Sequence, residues 1–282
     1  MKQNPKMKRA IMIGVAAAVV LLVAAFLTNG LYQGGESIQA VMRDAVLHEH
    51  GTISLFGLME VNPAVLSAFL VTGTLLLAAA LIRIFAIPKF KNIPGKLQLV
   101  IETIVDFFTN IAKSNSPHHN RFLSAYIFAA GTYIFVGTMF ELLGLQAVAS
   151  GGQSLELPAP LSDINAAIAL GCLSYLVIVF AGIHYNGMRG LLKALKDFSL
   201  PISMSFRLFG ALLSGLLVTE LVYHYIHLSF ILPVVVAVIF TLLHALIQTY
   251  VLVMLTSLFY GEVAEPKEKP ISKKKKKTIG SV

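Results

Sequence analysis

From Ile231 to Tyr260 the chain runs for 30 residues without an Asp, Glu, Lys or Arg. About 20 apolar residues already cross the hydrocarbon core of a bilayer. Inside lipid, only structures that satisfy all their own backbone hydrogen bonds persist. This one stretch therefore predicts a membrane-spanning helix and excludes an ordinary soluble domain. Five further apolar segments precede it: Ala10–Thr28, Pro63–Ile82, Leu123–Phe140, Ile164–Ile183, and Phe198 to about Val222. Composition agrees. Hydrophobic residues make up 56% and charged residues only 13%, where a soluble domain carries about 25% charged residues. Mean hydropathy is +0.78.

One more segment is helical in pattern but too charged to span. Pro94–Lys113 holds Lys96, Glu102, Asp106 and Lys113, with Leu97, Val100, Ile101, Ile104, Val105, Phe108 and Ile111 at helical spacing. It reads as an amphipathic helix lying in the interface. The predicted fold is an all-α membrane protein of five to six transmembrane helices plus one interfacial amphipathic helix. The first segment sets that range. Lys2, Lys6, Lys8 and Arg9 precede it, as they would a signal peptide or a retained helix. No clean small-x-small cleavage site follows, which favours retention. Three regions result: 1–62, a hydrophobic segment and a polar stretch; 63–262, the membrane domain; and 263–282, a basic tail.

Charge gives the orientation. The segments 83–96, 184–196 and 266–277 are basic, whereas 29–62, 141–163 and 223–230 are poor in Lys and Arg. Basic loops face the cytoplasm, so the C-terminus is expected there and the chain in a cell inner (plasma) membrane. The net charge of +8 is spread over these flanks and the Lys273–Lys277 run, which argues for lipid contact and against nucleic acid. Cys172 is the single cysteine and can form no internal disulfide. No phosphate-cradling loop, nucleotide motif or 20–50-residue repeat is found. His48-Glu49-His50 and His118-His119 lack metal-site spacing. No cofactor, metal or catalytic site is expected on this chain.

Arg207 is the costly residue. It lies about nine residues, or about 13 Å, into an apolar helix. An Arg at a helix centre costs roughly 2.5–3.5 kcal/mol on translocon scales, and it cannot shed its proton. Glu220 lies about 20 Å further along, rotated by roughly 220°, so it is no partner on the same helix. The last span holds no carboxylate. The missing anion is therefore expected on another subunit. Gly210 and Ser214 lie near the face of Arg207 and admit a close helix, of this chain or of another. His244 and Gln248, four apart, share a face of the last span. Gln can hold an Arg or a water without titrating. His244 is either a titrating group or a histidine bonded to a backbone carbonyl. Glu220 with His224 one turn on sits towards the outer side.

The segment Pro201-Ile-Ser-Met-Ser-Phe-Arg207-Leu-Phe-Gly210 closely resembles the arginine motif of subunit a of the F-type ATP synthase. Ala245-Leu-Ile-Gln248-Thr-Tyr250-Val-Leu-Val-Met254-Leu-Thr-Ser-Leu resembles that family's last helix. Pro94-Gly95-Lys96-Leu97-Gln98 with Glu102, and Ser162-Asp163-Ile164-Asn165, match in support. The resemblance covers roughly residues 63–262. It implies a stator subunit beside a rotating c-subunit ring, with b-type peripheral stalk subunits and other ATP synthase subunits as partners. It implies two offset half-channels carrying H+, or Na+, to and from ring carboxylates, with Arg207 between them and Gln248 as its neighbour. Glu220 and His244 would take part in translocation. Asp163, Asn165, Glu141, His184, Ser214 and His224 become candidates for lining the half-channels.

Three positions depart from the family pattern. Ala211 stands where Asn is frequent. Leu216 stands where a polar or acidic residue is frequent, with Glu220 one turn later. Thr241 precedes Gln248 where a polar or charged partner is frequent, with His244 three later. Because the two helices run antiparallel, these shifts separate Glu220 from His244 in depth by about 10 Å, so direct contact is not expected. The rival class is a secondary transporter with Arg207 at a substrate site. Its inverted repeats and broken helices are not seen. A purely structural subunit leaves Arg207, Gln248 and His244 without a role.

Overall fold

The computed structural model describes residues 53–55, 59–148, 154–224 and 232–266. A short hairpin pairs β1 (Ile53–Leu55) with β2 (Met59–Val61), and Ile53 lies opposite Val61. Helix α1 (Pro63–Leu81) follows, then α2 (Lys96–Asn115) and α3 (Asn120–Phe140). A second hairpin pairs β3 (Gln146–Val148) with β4 (Ser154–Glu156). The chain then forms α4 (Ile164–Lys196), α5 (Ser199–His224) and α6 (Leu232–Ala264). The all-α membrane architecture read from the sequence is what the structure shows. Among the described residues, four segments are long and apolar enough to cross a membrane: Pro63–Lys89, Asn120–Leu143, Ile164–Lys196 and Val238–Ala264. The 26 residues of α5 extend about 39 Å. Ala10–Thr28, residues 30–52 and the tail from 267 lie outside the described residues.

The first four N–H groups of any helix lack internal partners. Asn62 caps α1, its Oδ1 accepting from Ala64 N–H at 3.0 Å. Pro63 occupies the first turn, where its missing N–H costs nothing. Asp163 caps α4, its Oδ1 accepting from Asn165 N–H at 2.7 Å. Its other oxygen accepts from Asn62 Nδ2 at 3.0 Å. The two caps thus staple the starts of α1 and α4 together. At its far end α1 widens into a π turn over Ile82–Ala86 and tightens to 3₁₀ over Ile87–Lys89. Pro88 explains the change, because it cannot donate to the carbonyl four residues back.

Helix α2 begins two residues later than the sequence pattern suggests and ends at Asn115. It buries Phe108 and Ala112 and leaves Leu97, Val100 and Ile104 exposed, as an interfacial helix should. Phe108 fills the space above Gly131 and meets Phe128 edge-on, with ring centroids 5.5 Å apart. Between α3 and α4, Tyr126 donates to Ser174 Oγ at 2.8 Å, since that hydroxyl itself donates to Leu170 O. Helix α6 lies against α2, α3, α4 and α5 and is the central post of the bundle.

Helix α4 differs most from expectation. The fourth apolar segment was expected to stop near Ile183, but helical structure continues to Lys196 in two legs. Gly187 breaks it with φ 58° and ψ −139°, a conformation that glycine adopts at little cost. The second leg turns back so closely that Gly190 and Gly182 meet backbone to backbone. Tyr175 donates its hydroxyl to Ala194 O at 3.2 Å and closes the bend.

Helices α4 and α5 cross at Gly171. A Cβ there would run into Ser205 Oγ and lie 3.0 Å from Pro201 O. Small residues permit such close approach. By contrast, a Cβ on Gly73 of α1 would meet nothing within 4 Å. Gly171→Ala is therefore expected to destabilise the full chain by about 1–3 kcal/mol, as overpacking does. Gly73→Ala should be neutral or slightly stabilising, since Ala is the better helix former by up to about 1 kcal/mol. Thermal midpoints of the two variants in detergent check this.

Candidate functional site

The Gly171 crossing decides which way α5 faces. Pro201, Met204, Ser205, Leu208 and Leu212 recur at helical spacing and are buried. Ile202, Ser203, Phe206, Arg207, Gly210 and Ser214 form the opposite, exposed stripe. Arg207 stands about 12 Å along the helix from Ser199. No described residue forms a hydrogen bond or ion pair with its guanidinium. A Cβ on Gly210 would meet nothing within 4 Å. The gap that Gly210 leaves is thus open, and no described residue fills it. Ser214 turns its hydroxyl to Ala211 O at 2.8 Å.

On α6, Thr241, Gln248 and Thr249 face inward at 8%, 5% and 8% exposure. Leu252, one turn beyond Gln248, packs in one cluster with Leu208 and Leu212. Arg207 and Gln248 therefore stand on adjoining helices at neighbouring levels, and no hydrogen bond joins them. His244 is half-buried, with Nδ1 2.9 Å from Phe240 O. A carbonyl only accepts, so Nδ1 carries the proton and Nε2 is the nitrogen without a described partner. This is the carbonyl-bonded arrangement considered from sequence, and it still leaves one ring nitrogen over. The side chains of Glu220 and His224 lie outside the described residues, and so does the expected separation of Glu220 from His244.

The remaining candidates divide between the two ends of the bundle. Asp163 sits at the end where α1 and α4 begin and caps α4, with Asn165 exposed beside it. Glu141 follows α3 at that same end, half-buried in a 3₁₀ turn. His184 is at the opposite end, where Phe122, Tyr185 and Tyr260 join it around a recess of about 360 Å³. Arg207 lies between these levels. Among the described residues no group of three or more His, Cys, Asp or Glu is placed to hold a metal ion.

The family described as ATP synthase A chain matches residues 65–261, from the first turn of α1 almost to the end of α6. The chain belongs to the ATP synthase A chain family. A relative, the chloroplastic ATP synthase subunit a of Stigeoclonium helveticum, is 28% identical over 236 residues, covering 77% of this chain and 90% of the relative. As a subunit a, the chain works in a membrane with other ATP synthase subunits as partners.

Just past the matched region lies a polar latch that the sequence did not reveal. Glu265 Oε1 accepts from Ser116 Oγ at 2.7 Å and from His118 N–H at 3.0 Å. Its Oε2 lies 2.6 Å from His118 Nδ1. Asn186 Nδ2 donates to Val263 O at 2.6 Å, and Lys193 Nζ donates to Glu262 O at 2.9 Å. These two side chains satisfy carbonyls that the end of α6 cannot satisfy itself, and the lysine complements the helix dipole. Ser257, Gly261 and Glu265 fall four apart on one face. Asn115 Nδ2 donates to Ser257 Oγ at 3.1 Å, and the backbone of Asn115 closes on Gly261. His119 stacks on Tyr185, with centroids 3.8 Å apart. Helix polarity could have signalled that α6 needs caps. It could not have said that they come from residues 77 and 69 positions away.

Partial burial raises the Glu265 carboxyl, but the hydrogen bonds from Ser116 and His118 outweigh it and hold the group below its ordinary range. A carboxylate so lowered adds stability that is full above the unfolded value of about 4.3 and is lost as pH falls through the lower folded value. Glu265→Gln should therefore lower the thermal midpoint at neutral pH. The gap to the parent chain should close as pH drops below about 4. Thermal unfolding of both chains across pH 3–7 checks the sign.

Proposed function

We propose that this chain is the stator ion-channel subunit of an F-type ATP synthase, carrying protons to and from the carboxylates of a c-subunit ring. The carrying observation is Arg207 on the outward stripe of α5, beside the open space at Gly210 and without a described counter-ion. A permanent cation on a membrane-spanning surface is costly towards lipid. It is stabilised if a carboxylate on another subunit comes to that face.

The mechanism follows from that placement. A ring carboxylate that has lost its proton is costly in a low-dielectric interface unless a cation faces it. Arg207 supplies the cation and stays charged at any working pH. The same fixed charge repels a proton that would cross directly between the two access routes. Asp163, Asn165 and Glu141 at one end, and His184 at the other, suit access from opposite sides, with Glu220 and His224 further along α5. Protons then pass between the ends only by riding the ring. Gln248 orders the space beside Arg207 without titrating, and His244 offers Nε2 for relay. The b-type peripheral stalk holds the subunit still against the ring. The basic end of the bundle faces the cytoplasm of a plasma membrane, as the charge bias implies.

Arg207→Ala in native membrane vesicles should reduce ATP-driven proton pumping to the leak background while the subunit remains assembled. Full pumping would sink this reading. Loss of ATP-independent solute uptake would favour a transporter instead. Running the assay without Na+ tests the ion, since pumping must persist. Gly210→Leu is a second probe. It should leave the thermal midpoint of the isolated chain unchanged and cut pumping by about tenfold, because the added side chain enters the space of the partner.

A further inference from the structure

Where α1 ends and α2 begins, the chain forms a recess of about 580 Å³ unrelated to Arg207. Its walls have two chemistries. Lys89, Lys91 and Lys96 line it and all three are exposed. Phe85, Ile93 and Leu97 line it too and are 59%, 86% and 63% exposed. No Asp or Glu is among the lining residues. Glu102, one turn beyond Gln98, is engaged by Gln98 Nε2 at 2.8 Å. Gln98 also clamps the loop, accepting from Lys91 N–H at 3.0 Å and donating to Lys91 O at 2.9 Å. The lysines are therefore carried on a held backbone and not on a free strand.

Depth identifies the ligand. The apolar span that starts at Pro63 runs out at Lys89, so the lysines sit where hydrocarbon gives way to headgroups. Phe85 is still within the span and is exposed. Leu97 opens the exposed apolar face of α2, the interfacial helix. A ligand that suits both walls needs an anionic oxygen group and an adjoining hydrocarbon chain. We propose that this recess is a binding site for an anionic phospholipid of the leaflet on the basic side, its phosphate held by Lys89, Lys91 and Lys96 and its acyl chain laid against Phe85 and Leu97. A recess of this size matches ordinary small-ligand sites. A free phosphate has no use for the apolar wall. The site would seat α2 against the bilayer and fix its angle to α1. It does not depend on the ion-translocation reading.

The test is native mass spectrometry of the full chain in neutral detergent, titrated with phosphatidylglycerol and separately with phosphatidylcholine. The tightest-bound lipid should be phosphatidylglycerol. Lys89→Gln, Lys91→Gln and Lys96→Gln combined should weaken it by tenfold or more, since each lysine near an anionic surface is worth about fivefold. The matching Lys→Arg triple should keep it, and Phe85→Ala with Leu97→Ala should weaken it. Replacing Lys273–Lys277 with Gln should leave this tightest site unchanged. Wild-type affinity in the triple Gln variant overturns the proposal, as does loss of the site on changing the tail alone. Displacement of the lipid by inorganic phosphate at equal concentration would assign a free-phosphate site and overturn it too. Protection of these lysines from acylation by other ATP synthase subunits, and not by phosphatidylglycerol, would make the surface a protein interface instead.

Discussion

Gly171 carries no side chain, and the aim of Arg207 depends on that. Because α4 offers bare backbone at this point, Pro201 and Ser205 can sit against it. That contact turns one stripe of α5 inward, and the rest of the helix has no choice. Leu208 and Leu212 follow into the core with Leu252. Arg207, one residue from Leu208, is rotated by about 100° and comes out on the far side. A permanent charge with no described partner in its own chain is thus held facing outward by contact on the face it does not share. Gly210 extends the same logic, since its missing side chain leaves room that no described residue fills.

The ends of the bundle are built on a different rule. Helix termini leave donors and acceptors that lipid cannot satisfy. The chain meets this by making one helix serve another. Asn62 and Asp163 each cap their own helix and bond to each other. Asn186 and Lys193 on the folded-back part of α4 finish the carbonyls of α6. Glu265 gathers donors from the turn between α2 and α3. The bend at Gly187 belongs to the same scheme, because it returns Lys193 to the end of α6. Polar contacts are concentrated at the two ends, while most of the buried length is apolar.

Much was legible in the chain before any coordinates. Uninterrupted apolar length announces a span because hydrocarbon thickness is fixed. The charged periodicity of α2 announces an interfacial helix, and the structure differs there by two residues at each end. Arg207 stands out because its charge cannot be removed, and Gln248 because it is polar among apolar neighbours. The extent of α4 was not legible. Hydropathy ends near Ile183, and a helix turning back at one glycine continues past that point without an apolar signal. Nor was the latch legible, because Ser116, His118, Asn186, Lys193 and Glu265 look like ordinary polar loop residues. Their roles come from partners far apart in sequence. Residues 225–231 and the side chains of Glu220 and His224 fall outside what the structure describes.

Local composition was enough to indicate that the chain lives in a membrane, that its helices run in alternation, and that the permanent charge of Arg207 calls for a partner or water. Each of these rests on a property of one segment: its length, its flanking charge, or a pKa that cannot be lowered into range. Direction was decided only by tertiary structure. Spacing left Gly210 equally able to pack inside the chain or against another, and left His244 free or bonded. The crossing at Gly171 turns Gly210 away from every described neighbour, and the carbonyl of Phe240 takes one ring nitrogen of His244. Which face of a helix is buried depends on what stands beside it, and no single segment carries that information.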